Sequence, residues 1–337
     1  MKAVMCRKFG PPEMLALEEV PDPVPRPAQV LVAVHACGIN FPDVLIVQDK
    51  YQFKPALPYC PGAEFAGVVQ AVGAEVRDFA PGDRVCGWSS SGALAEFALT
   101  DADALVPVPD GLDLKIASAF MTTYGTGLYA LRMRAALQPG QSLLVLGAGG
   151  GVGTAAVEIG KALGARVVAA ASSDDKLQAA RALGADATIR YPAGPLDRDA
   201  QRRLADEFKA AGGSAGFDVI YDPCGGDYAE PALRAIAWEG RYLVIGFTAG
   251  DIPRIPLNLP LLKGCQIVGV FYGAWQARTP GAKGMISTEL MRMIEAGALR
   301  PRVTAAYPLA RASQALRELM ERRAVGKVVV VTDRYRG

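Results

Sequence analysis

The residues best suited to chemistry lie in one glycine-rich stretch, Gly147-Ala-Gly-Gly-Gly-Val-Gly153, between a strand predicted at 142–146 and a helix predicted at 152–163. Backbone N–H groups at such a turn can cradle a pyrophosphate, provided that no Cβ obstructs its approach. The Gly-x-Gly-x-x-Gly fingerprint is met at Gly150 and Gly153 but has Ala148 in its first place. The departure is small, because Gly150, Gly151, Val152 and Gly153 still supply the tight turn, the bare backbone and the close helix-to-sheet contact. Strand, loop, helix and a second strand at 166–171 follow one another within about 30 residues, a context that an ordinary tight turn does not require and a dinucleotide site does.

The end of that second strand selects the dinucleotide. An Asp or Glu there would accept from the ribose hydroxyls of NAD, but the chain reads Ala170-Ala-Ser-Ser173. Ser172 and Ser173 can donate hydrogen bonds to a 2′-phosphate and Lys176 can supply charge, so NADPH is expected over NADH. Asp174 and Asp175 temper this, although both are suited to the start of a helix. A metal centre is not expected: Cys6, Cys37, Cys60, Cys86, Cys224 and Cys265 form no Cys-x-x-Cys pair, and His35 is the single histidine. The cysteines are read as small buried residues in a reducing compartment, without disulfides, and His35 as structural.

The elements that must position these groups follow from length and pattern. At 337 residues the chain has room for two domains. Up to about residue 121 it is rich in Val, Gly and Pro, with short alternating runs at 30–34 and 67–72, which predicts a β-rich domain. From residue 122 strand-like and helical runs alternate, predicting a doubly wound parallel sheet over 122–273 with further strands at 217–222, 241–247 and 266–271 and a helix at 228–238. After Gly273 come helices at 284–296 and 310–323 and a final strand at 327–332, which could rejoin the first domain and make it discontinuous, 1–121 with 274–337. The formal net charge of +2, with 21% charged residues, offers no concentrated basic face for nucleic acid. The longest uncharged run, 135–157, is broken by Pro139 and glycines and does not read as a membrane span. No signal peptide is read at the start, and a cytoplasmic location is expected.

Several phrases then coincide: Cys37-Gly-Ile-Asn-Phe-Pro-Asp43, Leu57-Pro-Tyr-Cys-Pro-Gly62, Gly82-Asp-Arg-Val85, Thr122-Thr-Tyr-Gly-Thr126 and the glycine loop. In this order they resemble the medium-chain dehydrogenase/reductase superfamily, in its zinc-independent NADPH:quinone oxidoreductase branch, across essentially the whole chain. The resemblance implies a Rossmann-type α/β domain and a β-rich GroES-like catalytic domain. Zinc enzymes of the superfamily would carry a metal-binding cysteine at Asn40 and a histidine at Ala63, and both are missing. It implies Asn40 and Asp43 as a polar pair near the nicotinamide, Thr126 at its carboxamide end, and Ser172, Lys176 and Tyr191 around the 2′-phosphate. Phe247 joins these cofactor contacts, and Tyr51 and Tyr59 border the substrate pocket. Leu45 stands where some relatives carry tyrosine, which excludes a tyrosine donor at that place.

The implied reaction moves hydride from NADPH to a quinone without a metal, with Asn40 donating to the developing oxyanion. An asparagine before a helix is also a common cap. Tyr51 and Tyr59 could deliver a proton or wall the pocket, and a phenol with pKa ~10 favours the wall. Reduction of an enone, an acrylate or an enoyl thioester remains an alternative on the same fold, as does NADPH binding with little turnover. A homodimer joined edge to edge at the 266–271 strand is expected.

Overall fold

Valine and small residues fill Gln29–Ile39, the longest strand, which is buried at nearly every position. It pairs antiparallel with Glu64–Val72 along one edge. Its other edge is shared: Phe97–Asp101 takes the first half, and Lys327–Val331, from the far end of the chain, takes the second. Arg84–Trp88 and Leu105–Pro107 extend the sheet on one side and Val303–Pro308 on the other. Val32, Ile39, Phe65, Leu94, Leu316, Val328 and Val330 meet in its core. The structure is a computed structural model describing residues 1–336, and this sheet belongs to a unit made of Met1–Thr122 and Pro301–Gly337.

The second unit, Thr123–Arg300, holds a six-stranded, wholly parallel sheet. Its spatial order is Ala187–Arg190, Arg166–Ala171, Ser142–Val145, Phe217–Asp222, Ile236–Val244 and Gln266–Gly269. Continuous apolar runs such as Leu-Leu-Val and Val-Val-Ala-Ala-Ala suit strands covered on both faces. The order reverses beside Ser142–Val145, and ligands of such sheets bind beyond the carboxyl ends of the strands at that reversal. The glycine turn lies there.

Two expectations need correction, and one element was not expected. Residues 274–300 belong to the second unit, not with the β-rich part. The reason is packing: Trp275 of helix Tyr272–Arg278 stacks on Tyr129 at 4.4 Å, and Glu289 of helix Ala282–Glu295 pairs with Arg132. The helix read at 228–238 ends at Arg234, because Ile236 already pairs with Phe217 and Glu239 adopts φ +58. Helix Arg198–Gly212, too polar to stand out, was not anticipated; its buried stripe is Leu204, Ala205 and Phe208. All six cysteines are free thiols.

Phe208 is fully buried against the parallel sheet. Phe208→Ala is expected to cost about 3–5 kcal/mol of stability, read as a lower urea midpoint with an unchanged slope.

Candidate active site

In the first unit, four polar side chains are gathered inside an apolar sheet. Val328 pairs with Ile39, so antiparallel register brings Lys327 level with Asn40. The Lys327 ammonium donates to Asn40 Oδ1 at 2.7 Å, to Glu64 Oε2 at 3.3 Å and to the Ile39 carbonyl at 3.3 Å. Asn40 Nδ2 donates to Glu64 Oε2 at 2.8 Å and lies 3.4 Å from the Gly38 carbonyl. Glu64, 0% exposed, accepts at its other oxygen from Thr122 N at 2.9 Å. Asp43 accepts from Asn40 N at 2.8 Å. Asn40 stands at the cap position of helix Phe41–Val47, where it and Asp43 form a capping box, and its carboxamide also meets the charged pair.

Glu64 and Lys327 were not singled out in the sequence. The available signals were Glu64 inside the phrase Pro61-Gly-Ala-Glu-Phe65 and a lone lysine heading the run Val328 to Val331. A charge at the head of an apolar strand requires a partner that only the fold identifies. Among the described residues no group of three or more His, Cys, Asp or Glu side chains is placed to hold a metal ion. The cluster's polar groups are a buried ammonium, a carboxamide and two carboxyl groups.

The two tyrosines differ. Tyr59 packs with Cys6, Val47 and Phe9. Burial pushes its phenol well up, so it serves as an apolar wall more readily than as an acid. Tyr51 is half-buried, and burial, followed by the Asp43 charge, raises its phenol too.

In the second unit, Ser142–Val145 runs into a turn closed by Gly150 N donating to the Gly147 carbonyl at 2.9 Å. Gly147 has φ +58, where a side chain would be strained and a Cβ would meet Cys224 Sγ at 2.8 Å. A Cβ on Gly153 would lie 2.1 Å from the Gly147 carbonyl oxygen, so only glycine lets the helix start this close to the turn. Gly150 is different, since a Cβ there meets nothing nearer than 3.5 Å. That side of the turn is open to a ligand. Helix Gly151–Ala162 begins with no side-chain cap. The N–H groups of Gly151, Val152 and Gly153 have no intrahelical acceptor, and the positive end of the helix dipole adds to them. The residues present fit a dinucleotide pyrophosphate.

Around this turn Lys176 lays its stem over Gly149, where a Cβ would collide with it at 2.4 Å. Ser172 is half-buried at the end of Arg166–Ala171. The two nearby carboxylates are engaged: Asp174 pairs with Arg190 at 2.9 Å, and Asp175 accepts from the Ser173 hydroxyl. Tyr191 is placed otherwise than as a free phosphate ligand, for it is buried and its hydroxyl accepts from Gly147 N at 3.2 Å beside Cys224 Sγ. It props the glycine turn. Phe247 is exposed, with its ring over Gly225, and Thr126 is half-buried on helix Met121–Leu128.

Burial pushes the Asp43 carboxyl up to about 7, partly offset by the Asn40 N–H and the Lys327 charge. The folded chain then holds a proton that the unfolded chain has lost, so stability falls as pH rises from about 4 to about 7. Asp43→Asn keeps an acceptor for Asn40 N and removes that proton. Its thermal midpoint is expected to decline less than wild type across this range, and parallel profiles would contradict the shift.

Comparison with known proteins bears on both units. The family described as "Alcohol dehydrogenase GroES-like domain" matches residues 26–110, and that described as "Zinc-binding dehydrogenase" matches residues 151–288. Quinone oxidoreductase-like protein 2 of Mus musculus is 37% identical over 331 residues, covering 98% of this chain and 91% of that protein. Among solved structures, Escherichia coli quinone oxidoreductase complexed with NADPH superimposes with a TM-score of 0.89 at 28% identity, over 98% of this chain and 100% of the other. The CurK enoyl reductase superimposes with a TM-score of 0.86 at 26% identity, over 98% and 99%. Taken with the glycine turn and the two folded units, these similarities mean that this chain belongs to the quinone oxidoreductase branch of the medium-chain dehydrogenase/reductase superfamily.

Proposed function

We propose that this NADPH-dependent oxidoreductase reduces quinones, and that no metal Lewis acid takes part. The observation that carries the reading is the Lys327–Asn40–Glu64 cluster, which sets a buried ammonium against the carboxamide of Asn40, the residue standing where zinc relatives would carry a ligand. When bound, NADPH supplies the hydride. Gly150 to Gly153 hold its pyrophosphate, and Ser172 and Lys176 hold its 2′-phosphate. Asn40 Nδ2 donates to the acceptor oxygen as negative charge gathers there, and Tyr59 keeps the pocket wall dry. A quinone is already polarised and accepts hydride with that help alone; oxidation of an alcohol would need a group that lowers the hydroxyl pKa.

The likeness to an enoyl reductase supports a second reading, in which the acceptor is an α,β-unsaturated carbonyl. Consumption of NADPH is to be followed against quinones, simple enones, acrylates and enoyl-CoA esters. Turnover is expected to be highest with quinones; preference for an enoyl ester transfers the assignment to the second reading.

Dimerisation is part of the same proposal. Gln266–Gly269 is the last strand of its sheet, Ile267 on it is exposed, and Leu257, Leu261 and Trp238 are exposed at 79%, 78% and 68%. An open apolar edge of this kind is best covered by a second copy. Light scattering is expected to give twice the chain mass, with Leu261→Glu giving one.

Two substitutions test the coenzyme site. Gly150→Ala meets no protein atom closer than 3.5 Å and is expected to leave the thermal midpoint nearly unchanged while weakening NADPH binding measurably. Lys176→Ala is expected to raise KM for NADPH by about tenfold with little change for NADH; equal changes would remove Lys176 from the 2′-phosphate.

A further inference from the structure

We propose that Lys327 is a positioning residue of this reductase: its ammonium fixes the Asn40 carboxamide in one orientation and makes Nδ2 a stronger donor. This rests on the reading of Asn40 as the group that meets the acceptor oxygen. The contact distances separate this role from that of a plain ion pair. Of the three acceptors around the ammonium, the shortest is the amide oxygen at 2.7 Å, while the carboxylate lies at 3.3 Å. A pair built for neutralisation alone would close to about 2.7–2.9 Å on the carboxylate.

Orientation follows from charge. With Oδ1 against the ammonium and Nδ2 against Glu64, both amide ends meet their complements. Flipping the amide would set Oδ1 against a carboxylate and NH2 against an ammonium, in a site where Glu64 is 0% and Lys327 4% exposed. Low local polarity makes both contacts costly. One Nδ2 hydrogen is taken by Glu64. The other faces the Gly38 carbonyl across 3.4 Å, a weak contact that can be exchanged for a ligand oxygen. Because Lys327 draws electron density toward Oδ1, that second hydrogen donates more strongly than it would from an isolated amide. Lys327 does this without touching the acceptor.

The chain has two asparagines, Asn40 and the exposed Asn258, so asparagine-selective 15N labelling gives two side-chain amides, one of them an internal control. In the coenzyme-free protein the Asn40 pair is expected to be displaced from that of Asn258 and slow to exchange. Lys327→Met should move it toward Asn258 and lower kcat for quinone by about tenfold to a hundredfold, the range seen for groups that orient a ligand from behind, with NADPH affinity unchanged. Lys327→Met lowers stability by leaving Glu64 charged and buried. The double variant Lys327→Met, Glu64→Gln removes both charges and is expected to regain the thermal midpoint but neither kcat nor the Asn40 signature. Recovery of kcat in the double variant, or an unmoved Asn40 signal in Lys327→Met, overturns the proposal. If Asn40→Ala turns over quinone at the wild-type rate, the reading of Asn40 itself fails and the proposal falls with it. Loss of activity in Asn40→Ala with full activity in Lys327→Met overturns the role of Lys327 alone.

Discussion

An ammonium withdrawn from water into the first unit must be surrounded by acceptors, and that requirement ties together parts of the chain nearly 290 residues apart. Lys327 satisfies it with Asn40, Glu64 and a strand-end carbonyl. Removing one partner from such a buried set typically costs about 3–5 kcal/mol, whereas an apolar replacement of the whole set can be nearly neutral. Stability alone is therefore a weak reason to keep it. What it supplies is register: a one-residue slip of Lys327–Val331 against Gln29–Ile39 would turn Lys327 to the opposite face and leave Glu64 without its cation. The same contact completes the discontinuous unit and aims the carboxamide.

The second unit meets a different constraint, set by steric exclusion and not by charge. The glycine turn works because backbone approaches backbone: at Gly153 a methyl group would overlap the Gly147 carbonyl, and at Gly147 it would overlap a thiol. Ala148 is tolerated in the first place of the fingerprint because that residue lies in the turn floor, its N–H bonded to the Ala170 carbonyl. The ligand side is left bare at Gly150. Tyr191 props the turn from below, its hydroxyl accepting from Gly147 N.

Legibility in the sequence differed by element. The parallel sheet could be read because its strands are continuous apolar runs divided by helices that end in Ala-Leu-Gly-Ala. The helix Arg198–Gly212 escaped because only a narrow stripe of it is buried, and the run 228–238 misled because Trp238, apolar in type, lies exposed in a strand. Residues 274–300 were assigned to the wrong unit for a related reason. Which body a helix packs on is decided by a few aromatic contacts, here Trp275 on Tyr129, that no periodicity announces.

By itself the sequence determined the chemistry of local segments: where a Cβ is forbidden, and where a carboxylate is absent from the ribose end of a strand. These are properties of neighbouring residues and survive in a linear reading. Tertiary structure alone decided that the lysine heading the last strand would share a buried site with Asn40 and Glu64, and that the carboxamide of a helix-capping residue would face them. The physical reason is range. Steric rules act between adjacent residues, while a buried charge is satisfied by whichever group the folded sheet brings within hydrogen-bonding distance, however far away it lies along the chain.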